Sequence, residues 1–252
     1  MTRGIKYQCV GWSVKNKKNL LYKNKKVDYT KTIKKRPFLI KKCGLFSVKT
    51  MKYVIRKVPE RNTKYLERLL PEAVVVNDVN HNGAIWSFLK AIEIADDDAV
   101  YIQDDMLLCK DFKNKAEQYI KKYPNEVIVF SNHVIKNAKK YGGDVYSKEG
   151  FYPSSKGIVI MLCVYIPKQI AKDFRSFYLK GGAETLSSWE KYKKMDADDL
   201  LFCRWYQKDV LMTVPQLAGH SENKSVIVPS RPIRISPLFD YENAERKQAD
   251  EN

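Results

Sequence analysis

Three apolar stretches separated by two amphipathic ones, all within about 55 residues, constrain this chain more than any other feature it contains. Tyr53-Val54-Ile55 with Val58 predicts a strand that ends in the polar turn Pro59-Glu60-Arg61-Asn62. Asn62 or Thr63 can cap a helix in which Tyr65, Leu66, Leu69 and Leu70 share one face, and Pro71 stops it. Ala73-Val74-Val75-Val76 is a continuous run of the kind found in strands buried on both faces, and it ends at Asn77-Asp78. After the turn His81-Asn82-Gly83, a second helical stripe of Ile85, Phe88, Leu89 and Ile92 leads through Asp96-Asp97-Asp98 into Ala99-Val100-Tyr101-Ile102-Gln103, which stops on Asp104-Asp105. The β-α-β-α-β order predicts an α/β fold with a mostly parallel central sheet flanked by helices.

Downstream, a helix is expected over about Asp111 to Lys122, closed by Pro124, then a strand over Val127-Ile128-Val129-Phe130. Asn137 to Ser155, with Gly142-Gly143 and Gly150, has no apolar period and reads as a surface loop over the site. Ile158 to Ile166 returns as a strand, followed by a helix from Pro167 through Phe174 and a break at Gly181-Gly182. Asp196 to Tyr206 reads as a helix with its carboxylates in the first turn, Val210 to Val214 as a strand, and His220 as part of a polar loop. Residues 229–252, rich in Pro and then in charge, are expected as a tail that wraps the surface or is disordered.

Charge narrows the classes of partner. The net +17 is concentrated at one end: residues 1–50 hold 15 Lys and Arg against the single Asp28, whereas the other 202 residues hold 31 against 28. A folded domain over 51–228 is therefore expected to be nearly neutral. Residues 1–50 read as a basic arm that tracks phosphates, a small folded cap, or a dispensable leader, since Met51 could itself be a start. Five scattered cysteines without C-x-x-C spacing suggest neither a zinc site nor a disulfide framework and fit a reducing cytoplasm. No apolar run reaches the ~18 residues of a membrane span.

A buried strand that ends on paired Asp places hard oxygen ligands at the carboxyl edge of a sheet, where open α/β folds bind their ligands. Mg²⁺ or Mn²⁺ carrying a diphosphate suits such a pair, and a plain polar turn is the competing reading.

In order and spacing, the chain from about Lys52 to Ser225 resembles the metal-dependent nucleotide-sugar glycosyltransferases of the GT-A fold, a single Rossmann-like domain. The resemblance rests on Val58-Pro59-Glu60-Arg61 after the first strand, Asp78 after the second, and Gln103-Asp104-Asp105 in the place of that family's D-x-D element. Asp196-Ala197-Asp198-Asp199 before Leu201 and Arg204-Trp205, and Pro215 followed by His220 and Ser225, complete it. Two departures are visible: the metal element is Q-D-D, and Ala197 stands where the family carries an acid.

The resemblance implies Asp105, Asp104 and His220 as ligands of Mn²⁺ or Mg²⁺, and contacts to a UDP-sugar donor from Pro59, Arg61, Asp78, Gln103 and Asp104. It also implies Asp198, with Asp199 as the alternative, as the base that takes the acceptor's proton. Bland readings stand beside these: His220 bound to backbone, Arg61 solvated, Asp78 a turn residue, and the 196–199 carboxylates as helix caps.

Three functions follow. The first is a glycosyltransferase on DNA, similar to phage enzymes and base J-type enzymes that glucosylate hydroxymethylated pyrimidines, with the basic arm, Tyr141, Tyr146, Phe151-Tyr152 and Arg231 to Arg234 meeting the DNA. The second acts on a surface polysaccharide or protein. The third is a nucleotidyltransferase or nucleotide-binding module, against which Val58-Pro59-Glu60-Arg61 speaks, because it is no Gly-rich, Lys-containing loop.

Overall fold

The computed structural model describes residues 51–131, 134–135, 148–154, 162–221, 234–236, 238–242 and 244. The chain divides into Met1–Ser47 and Val48–Asn252. The expectations for the basic N-terminal segment, for most of the 137–155 loop, for Ser225 and for Arg231 lie outside the described residues.

The elements that build the site come early. Strand β1 (Lys52–Lys57), helix α1 (Lys64–Leu69), β2 (Val74–Asn77), α2 (Ala84–Ala95) and β3 (Ala99–Gln103) follow the expected order, with β1 parallel to both β2 and β3. Then come β4 (Met106–Leu108), α3 (Phe112–Lys122), β5 (Ile128–Val129), β6 (Val134–Ile135), β7 (Gly150–Pro153), β8 (Cys163–Ile166) and α4 (Lys168–Leu179). A 3₁₀ turn at Gly182–Thr185, α5 (Trp189–Met195), α6 (Asp198–Tyr206), β9 (Asp209–Met212), β10 (Ala218–His220) and β11 (Arg234–Ile235) complete the described chain.

The central sheet runs β2-β1-β3-β8-β5-β9-β7. Five of its seven strands point the same way, while β8 is antiparallel to β3 and β5 and β7 is antiparallel to β9. Period-two alternation divides the core between the two faces. Val54, Tyr101, Val164 and Met212 face α2, α4 and α6, whereas Ile55, Ile102, Tyr165 and Leu211 face α1, α3 and the β4–β10 ribbon. The three described cysteines are buried free thiols, and no helix among the described residues is long and apolar enough to cross a membrane.

Two expectations are corrected, those for residues 74–76 and for His220. Among the described residues the Val74–Val76 run is an edge strand paired with β1, Val74 is 36% exposed, and of the three valines Val76 is the buried one. The helix expected over Asp196 to Tyr206 is α6, which starts two residues later at Asp198, because Asp196 closes the preceding α5 in a left-handed conformation. His220 is the buried last residue of β10, in register with Met106 of β4, where a polar loop was expected. Within 229–252, Ser236 and Phe239 are buried and Phe239 bridges to Gln216, so the described part of this segment is built into the fold.

The start of α2 shows how distant residues fix one element. Asp196 accepts hydrogen bonds from the amides of Ala84 and Ile85, the latter at 3.0 Å, and so supplies an N-terminal cap from 111 residues away. Gly83 before it has φ +106° and ψ 177°, a region essentially reserved for glycine, and a Cβ there would lie 2.3 Å from Asp196 Oδ2. Gly83→Ala should therefore strain the turn and displace the cap. A loss of about 2–4 kcal/mol is expected in denaturant unfolding, and an unchanged midpoint would refute the cap.

Candidate functional site

The parallel strands β1, β2 and β3 end together, and the residues that follow them meet there. After β1, the amide of Arg61 donates to the carbonyl of Val58 at 3.1 Å, closing a turn with Pro59 at its second position. Asp104, just beyond β3, pins that turn from the side, because its Oδ2 accepts the amide of Val58 at 3.0 Å. Arg61 Nη2 thereby reaches to within 4.0 Å of Asp105 Oδ2. Gln103 ends β3 opposite Arg56 and is half-buried, whereas Pro59 is exposed.

His220 arrives from the opposite side. Pairing of β10 with β4 sets Gly219 opposite Leu107 and His220 opposite Met106, and the amide of Ser221 donates to the carbonyl of Asp105 at 2.8 Å. His220 Nε2 lies 3.1 Å from Asp105 Oδ2. Its Nδ1 lies 2.6 Å from the carbonyl oxygen of Ser221, which can only accept, so Nδ1 carries a proton. The C-terminal segment secures this strand: Ser236 Oγ accepts the His220 amide at 2.9 Å, and Tyr241 donates its hydroxyl to the His220 carbonyl at 3.0 Å.

With Nδ1 protonated, Nε2 presents either a lone pair or a second proton. Two lone pairs cannot face each other at 3.1 Å, so a proton or a cation belongs between Nε2 and Asp105 Oδ2. The carboxylate oxygen suits Mn²⁺ or Mg²⁺, the imidazole nitrogen favours the softer Mn²⁺ of the two, and 3.1 Å is about the edge of an octahedral site with ~2.1 Å bonds. Asp104 turns its Oδ2 toward Val58, and among the described residues no three His, Cys, Asp or Glu side chains already converge as a metal cluster. Asp105 and His220 form the pair that could hold the ion, and Asp104 stands next to it in sequence.

The remaining expected residues are placed differently. Asp78 is buried, and its carboxylate accepts the Asn82 amide and side chain and the Gly83 amide at 2.7–2.9 Å, so it shapes the turn into α2. Asp198 is 5% exposed and its Oδ2 pairs with Arg56 Nη1 at 2.6 Å, while Asp199 beside it on the first turn of α6 is half-exposed. Arg56 also donates to the carbonyl of Ala84 at 3.3 Å and lies 5.2 Å from the Phe88 ring centroid, joining β1, α2 and α6. Sequence reasoning passed over Arg56. The signal was a charge at the parity of Val54, on the inward face of a central strand.

The sequence matches no protein-family model and no curated protein.

Burial first, and then the adjacent Asp105 carboxylate, push the Asp104 carboxyl up to about 6, against the opposing pull of the Val58 amide, Arg61 and Arg56. A raised carboxyl means the charged form costs stability. That cost is absent below the ordinary Asp range, near pH 4, and full above about pH 6. Asp104→Asn, which can still accept the Val58 amide, should stabilise the metal-free protein by ~1–2 kcal/mol at pH 8 and not at pH 4, measured by thermal unfolding. Equal stability of the two proteins at pH 8 would refute the electrostatic account.

Proposed function

We propose that this chain is a divalent-cation-dependent glycosyltransferase of the GT-A type, moving a sugar from a nucleoside diphosphate donor to a hydroxyl acceptor. The observation that carries the reading is the Asp105–His220 pair at the carboxyl edge, with Nε2 facing Oδ2 at 3.1 Å and Nδ1 committed to Ser221. The strand directions and the paired Asp after β3 support it.

In this reading the donor diphosphate lies over Asp105 and Arg61, where the guanidinium offsets charge that grows on the leaving oxygens. Mn²⁺ or Mg²⁺ held by Asp105 and His220, with Asp104 beside them, would supply further neutralisation of that charge. Pro59 and Gln103 flank the nucleoside side of the site, and Asp78 holds the neighbouring turn. Asp199 takes the acceptor's proton, since Asp198 is committed to Arg56. The acceptor is a hydroxymethylated pyrimidine in DNA by resemblance alone, with a polysaccharide or protein hydroxyl as the competing outcome.

UDP with Mn²⁺ should raise the melting temperature, and chelator, Asp105→Ala or His220→Ala should each remove the rise. A UDP response indifferent to all three would overturn the metal site. Radiolabelled UDP-sugars offered with hydroxymethylcytosine DNA, hydroxymethyluracil DNA or unmodified DNA test the acceptor.

The two aspartates of α6 should separate. Asp199→Asn should keep stability and UDP affinity while cutting transfer by ~10²–10⁴-fold. Asp198→Asn should lose several kcal/mol of stability, because it leaves the buried Arg56 charge without a charged partner. The opposite pattern would return the role of base to Asp198.

A further inference from the structure

A cleft of about 410 Å³ opens between α2, α4 and α5, on the sheet face that α2, α4 and α6 cover. It is lined by Trp86 of α2, Tyr178 of α4 and Trp189 of α5. Tyr178 and Trp189 brace each other edge to face with centroids 6.0 Å apart, whereas Trp86 is 39% exposed. The volume lies within the range of small-ligand pockets, and its apolar lining is shared between these three rings and the aliphatic Ile85, Leu89 and Leu179.

The charged groups around the cleft determine what it can recognise. Its two carboxylates are already committed: Glu93 Oε2 accepts from Lys90 at 3.4 Å and Arg175 at 3.2 Å, and Asp196 accepts two backbone amides of α2. A saccharide, whose hydroxyls need acceptors, would have to share both carboxylates with these protein donors. What the cleft presents is aromatic faces with Lys193 at the rim, and α5 adds Lys191 and Lys194 against the single Glu190. This helix has no fully buried residue: Trp189 packs at the edge of the core, and Lys191, Lys193 and Lys194 are exposed.

We infer that this cleft binds single-stranded nucleic acid, with a base stacked against Trp86, Tyr178 and Trp189 and the adjoining phosphates on the lysines of α5. Stacking on aromatic rings beside cations is the general means of holding unpaired strands without sequence preference. The inference stands whether or not the carboxyl edge transfers a sugar.

An oligo-dT strand carrying 5-iododeoxyuridine, photo-crosslinked to the full chain and mapped by peptide mass spectrometry, should label peptides containing Trp86, Tyr178 or Trp189. In fluorescence anisotropy with the same strand, Trp86→Ala and Trp189→Ala should each weaken binding roughly tenfold, with Trp86→Phe retaining most of it. Lys193→Ala should reduce the log-log salt slope by about 0.7. These variants should keep the wild-type UDP and Mn²⁺ thermal response, which separates this site from the proposed donor site. Crosslinks confined to residues 1–50 or to the carboxyl edge, aromatic variants within twofold of wild type, or quenching of tryptophan fluorescence by glucan oligosaccharides and not by oligo-dT would each overturn the inference.

Discussion

The buried pair of Arg56 and Asp198 is the interaction on which the architecture around the site depends. Both side chains are nearly inaccessible, and their 2.6 Å contact ties the middle strand of the β2-β1-β3 group to the first turn of α6. Arg56 also holds the first carbonyl of α2 and sits over Phe88, which packs against Tyr101, Phe174 and Phe202. One guanidinium therefore joins a strand to two helix starts. A hydrophobic pair of similar volume could pack as well, but it would lack the directional hydrogen bond that Arg56 donates to Asp198. The proposed base, Asp199, is the residue next to the anchored one.

Around this anchor the site is assembled by residues that position one another. Asp104 holds the turn that carries Arg61, and Arg61 approaches Asp105. Asp105 in turn receives His220, which Ser236 and Tyr241 steady from the C-terminal segment. Burial, and then the adjacent Asp105 carboxylate, make Asp104 hard to ionise, so the arrangement carries an electrostatic cost that positive charge nearby would relieve. Gly219 belongs to this design too: a Cβ there would meet the Phe239 ring at 2.2 Å, so the C-terminal segment can lie directly on β10.

Much of the fold was legible because burial on a sheet and on a helix leaves different periods in the sequence. β1 to β3, α1 to α3, the Asp104-Asp105 stop and the first two turns of α4 stand where the apolar spacing predicted them. The edge position of β2 among the described strands was not legible, since Val74-Val75-Val76 has the composition of an interior strand and strand order is set by long-range pairing. The short pairing of β4 with β10 was hidden because three residues are too few to show a period.

By itself the sequence determined that a parallel α/β core would form and that paired carboxylates would emerge at a strand's carboxyl end, because both follow from local apolar spacing. Only the tertiary structure decided what each carboxylate does. Asp78, Asp196 and Asp198 are chemically alike, yet one shapes a turn, one caps a helix 111 residues away and one neutralises a buried arginine. These roles depend on long-range partners, and local spacing contains no record of them. Asp105 acquired its partner in the same way, when strand pairing brought His220 to its side across more than a hundred residues.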